Sequence, residues 1–128
     1  GWARARGFSN GIAASGRLVF IAGQIGWTGE GKWEARDFAG QFKQALKNIL
    51  AVLQEAGGRP EHIVRLTWYV IDKQEYLGAL NEVGTAYREL MARHYPVMAV
   101  VQVSGLVEDG ARLEIEATAV LPEKRAEK

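Results

Sequence analysis

The last third of the chain constrains the fold most, because it contains two strand patterns of different kinds. The first pattern, residues 97–103, has apolar side chains at odd and even positions alike, which is typical of a strand buried on both faces. The second, residues 112–121, alternates apolar residues with Glu114 and Glu116, which is typical of a strand with one buried face. A turn at Glu108-Asp109-Gly110 joins them. A fold with this pair needs a sheet that is covered, at least in part, on both sides.

Two helical patterns and further strand patterns precede this pair. The apolar period changes to 3.6 after Asp37, a candidate N-cap, and this helix is predicted to stop at Gly57-Gly58. A second helix is predicted from about residue 74 to residue 93, and Pro96 marks the return to extended chain. The remaining strand patterns are a hairpin of residues 11–14 and 17–23 around Ser15-Gly16, and a run of residues 63–71.

The element order ββαβαββ predicts an α+β fold with a mixed sheet and both helices on one face. A helix of about 20 residues is roughly 30 Å long, so two helices cover one side of such a sheet and not the other. The strands at residues 18–23 and 97–103 are nevertheless apolar at both parities. We therefore expect an obligate homo-oligomer, in which other subunits cover the second face and pockets lie at the subunit seams.

Composition narrows the class of protein. A chain of 128 residues is long enough for one core, so we expect a single domain over residues 1–128 with a charged tail at residues 122–128. The net charge of +1 gives no bulk attraction to nucleic acid or to an anionic membrane. No apolar run reaches the length of a membrane span. The sequence has no cysteine, which excludes disulfides and thiolate chemistry and fits the cytoplasmic location that we expect.

Metal and cofactor signals are weak. The 2 histidines share no ligand spacing and there is no cysteine, so we expect no metal site and no cofactor. His94 is either an exposed histidine at a helix end or a cation or base near a cleft. Trp27 and Trp33 flank a glycine loop and could stack on a flat ligand or pack at the rim of an oligomer.

Several short motifs occur in a specific order along the chain. They are Phe8-Ser9-Asn10-Gly11, the run from Phe20 to Ile25, Glu55-Ala56-Gly57, Asn81-Glu82-Val83, Pro96, and the run from Glu114 to Ala117. In this order and spacing they resemble the Rid family of reactive-intermediate deaminases (YjgF-type), also named endoribonuclease L-PSP. The resemblance extends from Phe8 to Val120. It implies a chorismate-mutase-like homotrimer with clefts between adjacent subunits, in agreement with the uncovered sheet face.

The resemblance also implies a chemistry. Active members hydrolyse enamines and imines to a ketoacid and ammonia. This reaction needs a cation for the substrate carboxylate, ideally a guanidinium, and an acid/base beside an ordered water. The family's arginine stands two residues after the proline that opens the strand, and here that position is Met98, which has neither charge nor donor. The resemblance therefore implies weak or no activity on ordinary 2-iminoacids.

The resemblance assigns the other cleft positions as well. Positions that are polar in many members are apolar here, namely Phe8, Ala22 and Val100. Positions that match the active pattern are Asn81, the Gly23 backbone and Glu114, the implied catalytic residue. The residues alone favour a solvent-facing strand carboxylate for Glu114, whereas Asn81 could equally be an exposed helical residue. Met98 could be core filler.

Two functions stay open. The first is a Rid-family enzyme that binds or hydrolyses a small metabolite, by imine or enamine deamination or a related hydrolysis, at intersubunit clefts. The second is a non-catalytic protein on the same fold that binds a small ligand or a partner. RNA cleavage, suggested by the family's older name, is disfavoured by the near-neutral charge and the lack of a basic stripe. The expected partners are a small molecule and further copies of the chain, without membrane or nucleic acid.

Overall fold

The computed structural model describes residues 1–123 and contains a four-stranded mixed sheet. The strands are β1 (Arg17–Ile25), β2 (Ile63–Val70), β3 (Val97–Gln102) and β4 (Leu113–Leu121). Their order across the sheet is β1-β4-β2-β3, with β2 and β3 parallel and the other pairs antiparallel. From residue 124 onward, the predicted charged tail lies outside the described residues.

The helices are α1 (Phe38–Glu55), α2 (Lys73–Gly78) and α3 (Leu80–Met91), with a 3₁₀ turn at Pro60–His62. The predicted bounds of α1 are confirmed. Asp37 is its N-cap and accepts a hydrogen bond from the Gly40 N–H at 3.1 Å, and Gly57 follows its end with a φ of 86°. Within the described residues, no helix combines the length and apolarity that crossing a bilayer requires.

One face of the sheet packs against α1 and α3. Buried residues of both helices share one core with the alternate side chains of β4, such as Leu113 and Ile115, which are fully buried. Trp68 of β2 stacks on Phe42 of α1, with ring centroids 4.7 Å apart. The predicted α+β fold with a mixed sheet and helices on one face is therefore confirmed, while its detailed element order is not.

The predicted N-terminal hairpin is wrong, because residues 11–14 form no strand. Their one large apolar side chain, Ile12, is 41% exposed, so the segment gains little by pairing with β1. Ser9, two residues before this segment, instead forms a parallel bridge with Val97, and its N–H donates to the Pro96 carbonyl at 3.1 Å. The N-terminal segment thus crosses to the edge of β3, and the order is βαβααββ instead of ββαβαββ.

The predicted second helix is divided in two. It breaks at Ala79, whose φ of −111° and ψ of 12° are not helical, directly after Gly78. Glycine inside a helix costs about 1 kcal/mol relative to alanine, which weakens the pattern at this point. Leu77 and Leu80 lie on the two sides of this break, and they are 52% and 47% exposed. Leu80 lines a cleft instead of the core.

The second face of the sheet has no helical cover within residues 1–123. Leu18 and Phe20 of β1 are 60% and 74% exposed there, and Ala99 and Val101 of β3 are exposed too. No layer formed by the described residues reaches this side, so the burial of β3 on both faces by other subunits stays a prediction. Polar side chains of β4 and β2, such as Glu116 and Thr67, lie between these two apolar edges. Exposed apolar side chains at both edges of one sheet face favour an interaction face.

Candidate functional site

A cleft of about 770 Å³ lies between the N-terminal segment, α3 and β3. It is lined by four of the residues that the sequence predicted to bind substrate, namely Phe8, Asn81, Met98 and Val100. Phe8 comes from the N-terminal segment, Asn81 from α3, and Met98 and Val100 from β3. The structure therefore brings these four together.

The fold positions these residues by local rules. Met98 and Val100 pair with Leu66 and Trp68 of β2, whose side chains are buried on the helix-covered face, so strand parity turns the β3 pair to the same face. Phe8 is placed by the hydrogen bonds of Ser9 to the edge of β3. Asn81 lies in the first turn of α3, directly after the break at residue 79.

Aromatic residues form the inner wall of the cleft. The Trp68 and Tyr76 rings pack edge to face with centroids 5.8 Å apart, and the Tyr87 and Tyr95 rings stack with centroids 5.4 Å apart. The Tyr87 hydroxyl donates to the His94 carbonyl. Burial raises the pKa of the Tyr87 phenol well above its ordinary value, with a smaller contribution from Tyr95, and burial also raises the pKa of Tyr76. Both phenols are thus neutral at physiological pH.

Glu114 lies on the other face of the sheet. A Cβ atom added to Gly23 would lie 2.7 Å from the Glu114 Cδ, so the glycine allows the carboxylate to pack against the backbone of β1. Glu114 lines a hollow of about 300 Å³ together with Glu116 and Tyr69. The Tyr69 hydroxyl donates to Glu116 at 2.7 Å, and this hydrogen bond raises the pKa of Tyr69.

Within one chain, the predicted site is therefore divided. Glu114 and Gly23 are together on the open face, whereas Met98 lines the cleft on the helix-covered face. Ala22 is exposed on β1 beside Gly23 and lines neither the cleft nor the hollow. The pairing of Glu114 with Met98 in one site requires more than a single chain.

Two arginines of the cleft wall were missed from the sequence. Arg88 of α3 and Arg6 of the N-terminal segment both line the cleft. A signal for Arg88 was available, because it follows Asn81 by two helical turns and so falls on the same helix face. Arg6 stands two residues before Phe8 and lies in the segment that Ser9 fixes.

The remaining candidates lie elsewhere. His94 is half-buried, its Nε2 is 2.8 Å from the Ile63 carbonyl, and it does not line the cleft. The Trp27 and Trp33 rings are 5.7 Å apart, and Trp27 lines a separate hollow of about 350 Å³. In residues 1–123, no three histidine, aspartate or glutamate side chains gather in a way that could hold a metal ion.

Comparison with known proteins identifies relatives of the chain. Residues 3–121 match the family model described as endoribonuclease L-PSP. The human 2-iminobutanoate/2-iminopropanoate deaminase is 33% identical over 105 residues, which cover 81% of this chain and 73% of the human protein. A RutC family protein of Pyrococcus abyssi is 35% identical over 105 residues, covering 81% of this chain and 79% of its own.

Solved structures agree with these sequence matches. YyfB of Yersinia pestis, a conserved Rid family protein, superposes with a TM-score of 0.80 at 31% identity, covering 90% of this chain and 87% of its own. The YjgF gene product of E. coli gives a TM-score of 0.69 at 30% identity, covering 88% and 87%. With a family model over nearly its whole length and these relatives, the chain belongs to the Rid family of YjgF-type, endoribonuclease L-PSP proteins.

Proposed function

We propose that this chain hydrolyses a small imine or enamine with an apolar body, in clefts between the subunits of a homotrimer. The observation that supports this most is the joint lining of one cleft by Phe8, Asn81, Met98 and Val100. The names of the deaminase relatives favour the same reaction class. The proposal treats residues 1–128 as one domain and the protein as cytoplasmic.

The trimer is proposed because it unites the divided site. Leu18 and Phe20 are 60% and 74% exposed on the open face, which also bears Glu114. A second subunit packed on that face would bury the two apolar side chains. At roughly 25 cal/mol per Å² of apolar surface, such burial drives association. The same packing brings the cleft of one subunit to the Glu114 of its neighbour.

In the proposed reaction, Glu114 takes a proton from a water molecule as the water oxygen bonds to the imine carbon. The carboxyl group then returns the proton to the nitrogen of the tetrahedral adduct. The carboxylate next takes the hydroxyl proton of this adduct and passes it to the amino group as the carbon–nitrogen bond breaks, so that ammonia leaves and the carbon keeps the oxygen as a carbonyl. The Gly23 backbone and the Asn81 side chain hold the polar groups of the substrate, with Ala22 beside Gly23.

Met98 sets the limit of this activity. A thioether offers no charge and no donor to a substrate carboxylate at the position of the family's arginine. Loss of a charge-assisted hydrogen bond weakens binding by about 1.5–3 kcal/mol. We therefore propose weak or no turnover of ordinary small 2-iminoacids such as 2-iminopropanoate, and faster turnover of imines with a larger apolar body, because Phe8 and Val100 line the cleft with apolar surface.

The test is ammonia release from imines generated in situ, from 2-iminopropanoate to the bulkier 4-methyl-2-iminopentanoate. We expect acceleration of the bulkier imine, and we expect Glu114→Gln to lower the catalysed rate by about 100-fold or more, as for other general acid/base residues. Glu116→Gln, which removes the other carboxylate of the same hollow, serves as the matched control and should change the rate little. Equal rates for the wild type and Glu114→Gln would contradict the proposed role.

A binding protein without catalysis is the second candidate. The observation that favours it is the apolar character of Phe8, Met98 and Val100 in the cleft. Under this alternative, no imine in the series is hydrolysed faster than in buffer, and Glu114→Gln leaves ligand affinity unchanged. The same assay, with a binding measurement, therefore separates the two candidates.

A further inference from the structure

Two guanidinium groups line the cleft without acidic partners. Arg88 and Arg6 are both exposed on its wall. Among residues 1–123, the ion pairs within 4.0 Å involve other side chains, and no carboxylate pairs with either arginine. Both guanidinium groups are therefore available to an anion that enters the cleft.

The position of Arg88 depends on a glycine in the interior of α3. A Cβ atom added to Gly84 would lie 3.2 Å from the Arg88 Nη1, so the guanidinium folds back over the preceding turn into the space above the glycine. Glycine is unfavourable inside a helix. At this position it leaves room for a cation on the cleft wall, which both residues line.

A buried donor in the same cleft is also unpaired. Trp68 lines the cleft and is 3% exposed, and its indole Nε1–H has no hydrogen-bond acceptor among the described residues. Buried polar groups in native proteins almost always have a partner. An acceptor atom of a bound molecule would satisfy this donor.

We infer that Arg88, assisted by Arg6, anchors the carboxylate of a small acid whose apolar body lies in the cleft. The inference rests on the proposed function and names its substrate class. The anchoring cation comes from α3 instead of the β3 position held by Met98, so the acid lies against a different wall of the site. Leu80, Val83 and Val100 offer apolar surface to its body.

The lining favours a carboxylate over a phosphate. A guanidinium fork matches the two oxygens of a carboxylate, and the neighbouring side chains are mostly aliphatic or aromatic. A small phosphate would leave this apolar surface unused. Apolar surface beside a single type of charged group suits a ligand with one charged end.

The test compares the acid 4-methylpentanoate with its neutral isostere 4-methylpentanamide, by isothermal titration calorimetry on the full chain. We expect the acid to bind the wild type about tenfold tighter or more, as one charge-assisted hydrogen bond implies. Arg88→Gln should abolish that preference. Arg93→Gln removes an exposed arginine just beyond α3 that does not line the cleft, and it should leave the preference unchanged.

A second variant distinguishes loss of the anion site from loss of folding. Gly84→Ala improves helix propensity but displaces the Arg88 guanidinium, so it should weaken binding of the acid without lowering the Tm. The inference is overturned if the acid and the amide bind the wild type equally or not at all, if Arg88→Gln keeps the preference, or if inorganic phosphate binds more tightly than the acid.

These outcomes are distinct from those of the hydrolysis assay. Arg88-dependent binding without any Glu114-dependent turnover would support the anion site and reject the enzyme. Glu114-dependent turnover with Arg88-independent binding would support the enzyme and reject the anion site.

Discussion

Two buried polar side chains of the same core, Gln41 and Trp68, differ in whether the chain itself supplies their hydrogen-bond partners. Gln41 is 1% exposed, its amide nitrogen donates to the Gly110 carbonyl at 2.9 Å, and its amide oxygen accepts from the Arg112 N–H at 2.8 Å. Trp68 is 3% exposed, and its indole N–H has no acceptor within residues 1–123. The chain itself supplies both hydrogen-bond partners of the Gln41 amide, whereas the described residues supply none for the Trp68 indole.

The arginines near these two groups differ in the same way. The Arg112 guanidinium is bidentate to Glu75, with its Nε 3.0 Å from both carboxylate oxygens, and this pairing raises the pKa of Arg112. Arg88 in the cleft wall pairs with no carboxylate of the described residues. Gln41 and Arg112 therefore belong to the scaffold, whereas Trp68 and Arg88 have the character of a ligand site.

The largest effect on stability is expected at Gln41, the buried side chain whose partners both lie within the chain. Gln41→Leu leaves the Gly110 carbonyl and the Arg112 N–H without their partner, and we expect the free energy of unfolding to fall by about 3 kcal/mol. Urea denaturation measures this loss. Gln54→Leu, at an exposed position of the same helix, is the control and should change stability by less than about 0.5 kcal/mol. Equal stability of the two variants would show that the hydrogen bonds of Gln41 do not stabilise the core.

The next effect concerns Tyr87, a cleft residue whose hydroxyl has a partner within the chain. Tyr87→Phe removes the hydrogen bond to the His94 carbonyl, and we expect a loss of about 1 kcal/mol at neutral pH. The pKa of Tyr87 is raised in the folded state, so its contribution is complete below the unfolded value of 10.0 and is lost as the pH rises further.

The pH dependence provides the check on Tyr87. The unfolding free energy of the wild type should decline above about pH 10, more steeply than that of Tyr87→Phe. A smaller decline remains in the variant because burial also raises the pKa of Tyr76. Identical slopes for the two proteins would show that the Tyr87 phenol ionises as freely as in the unfolded chain.

The smallest effect on stability is expected from replacing Arg112 or Arg88, the arginine paired with Glu75 and the arginine of the cleft wall. Arg112→Gln removes the pairing with Glu75, and since both side chains are partly exposed we expect a loss of only about 0.5–1 kcal/mol. Arg88→Gln should leave stability within about 0.5 kcal/mol of the wild type. Thermal unfolding of the two variants side by side measures the difference. A larger destabilisation by Arg88→Gln would mean that Arg88 belongs to the scaffold.

Much of the fold could be predicted because local signals and tertiary structure agree. Asp37 and Gly57 marked both ends of α1, and the alternation around Glu114 defined β4. The motif order was specific enough to predict the family, which the comparisons confirm. The break at Ala79 was missed because the apolar stripe continues across it, although Gly78 is a weak point in the pattern.

The candidate site could be predicted only in part. The path of the N-terminal segment depends on hydrogen bonds from Ser9 to residues far along the chain, which no local pattern reveals. The alternation in β4 could place Glu114 on the face away from the core. Residues 97–103 are apolar at odd and even positions alike, so the face of Met98 became clear only from its register with Leu66. The unpaired indole of Trp68 depends on the absence of an acceptor in three dimensions, so the sequence alone could not indicate it.

The central proposal is that this cleft hydrolyses imines although Met98 occupies the position at which the family resemblance implies an arginine. The most direct test is kcat/KM for 2-iminopropanoate, measured by ammonia release for the wild type and for Met98→Arg. We predict slow turnover by the wild type and an increase of about tenfold or more in Met98→Arg, from one restored charge-assisted contact. Rapid hydrolysis by the wild type, with no gain from Met98→Arg, would contradict the account.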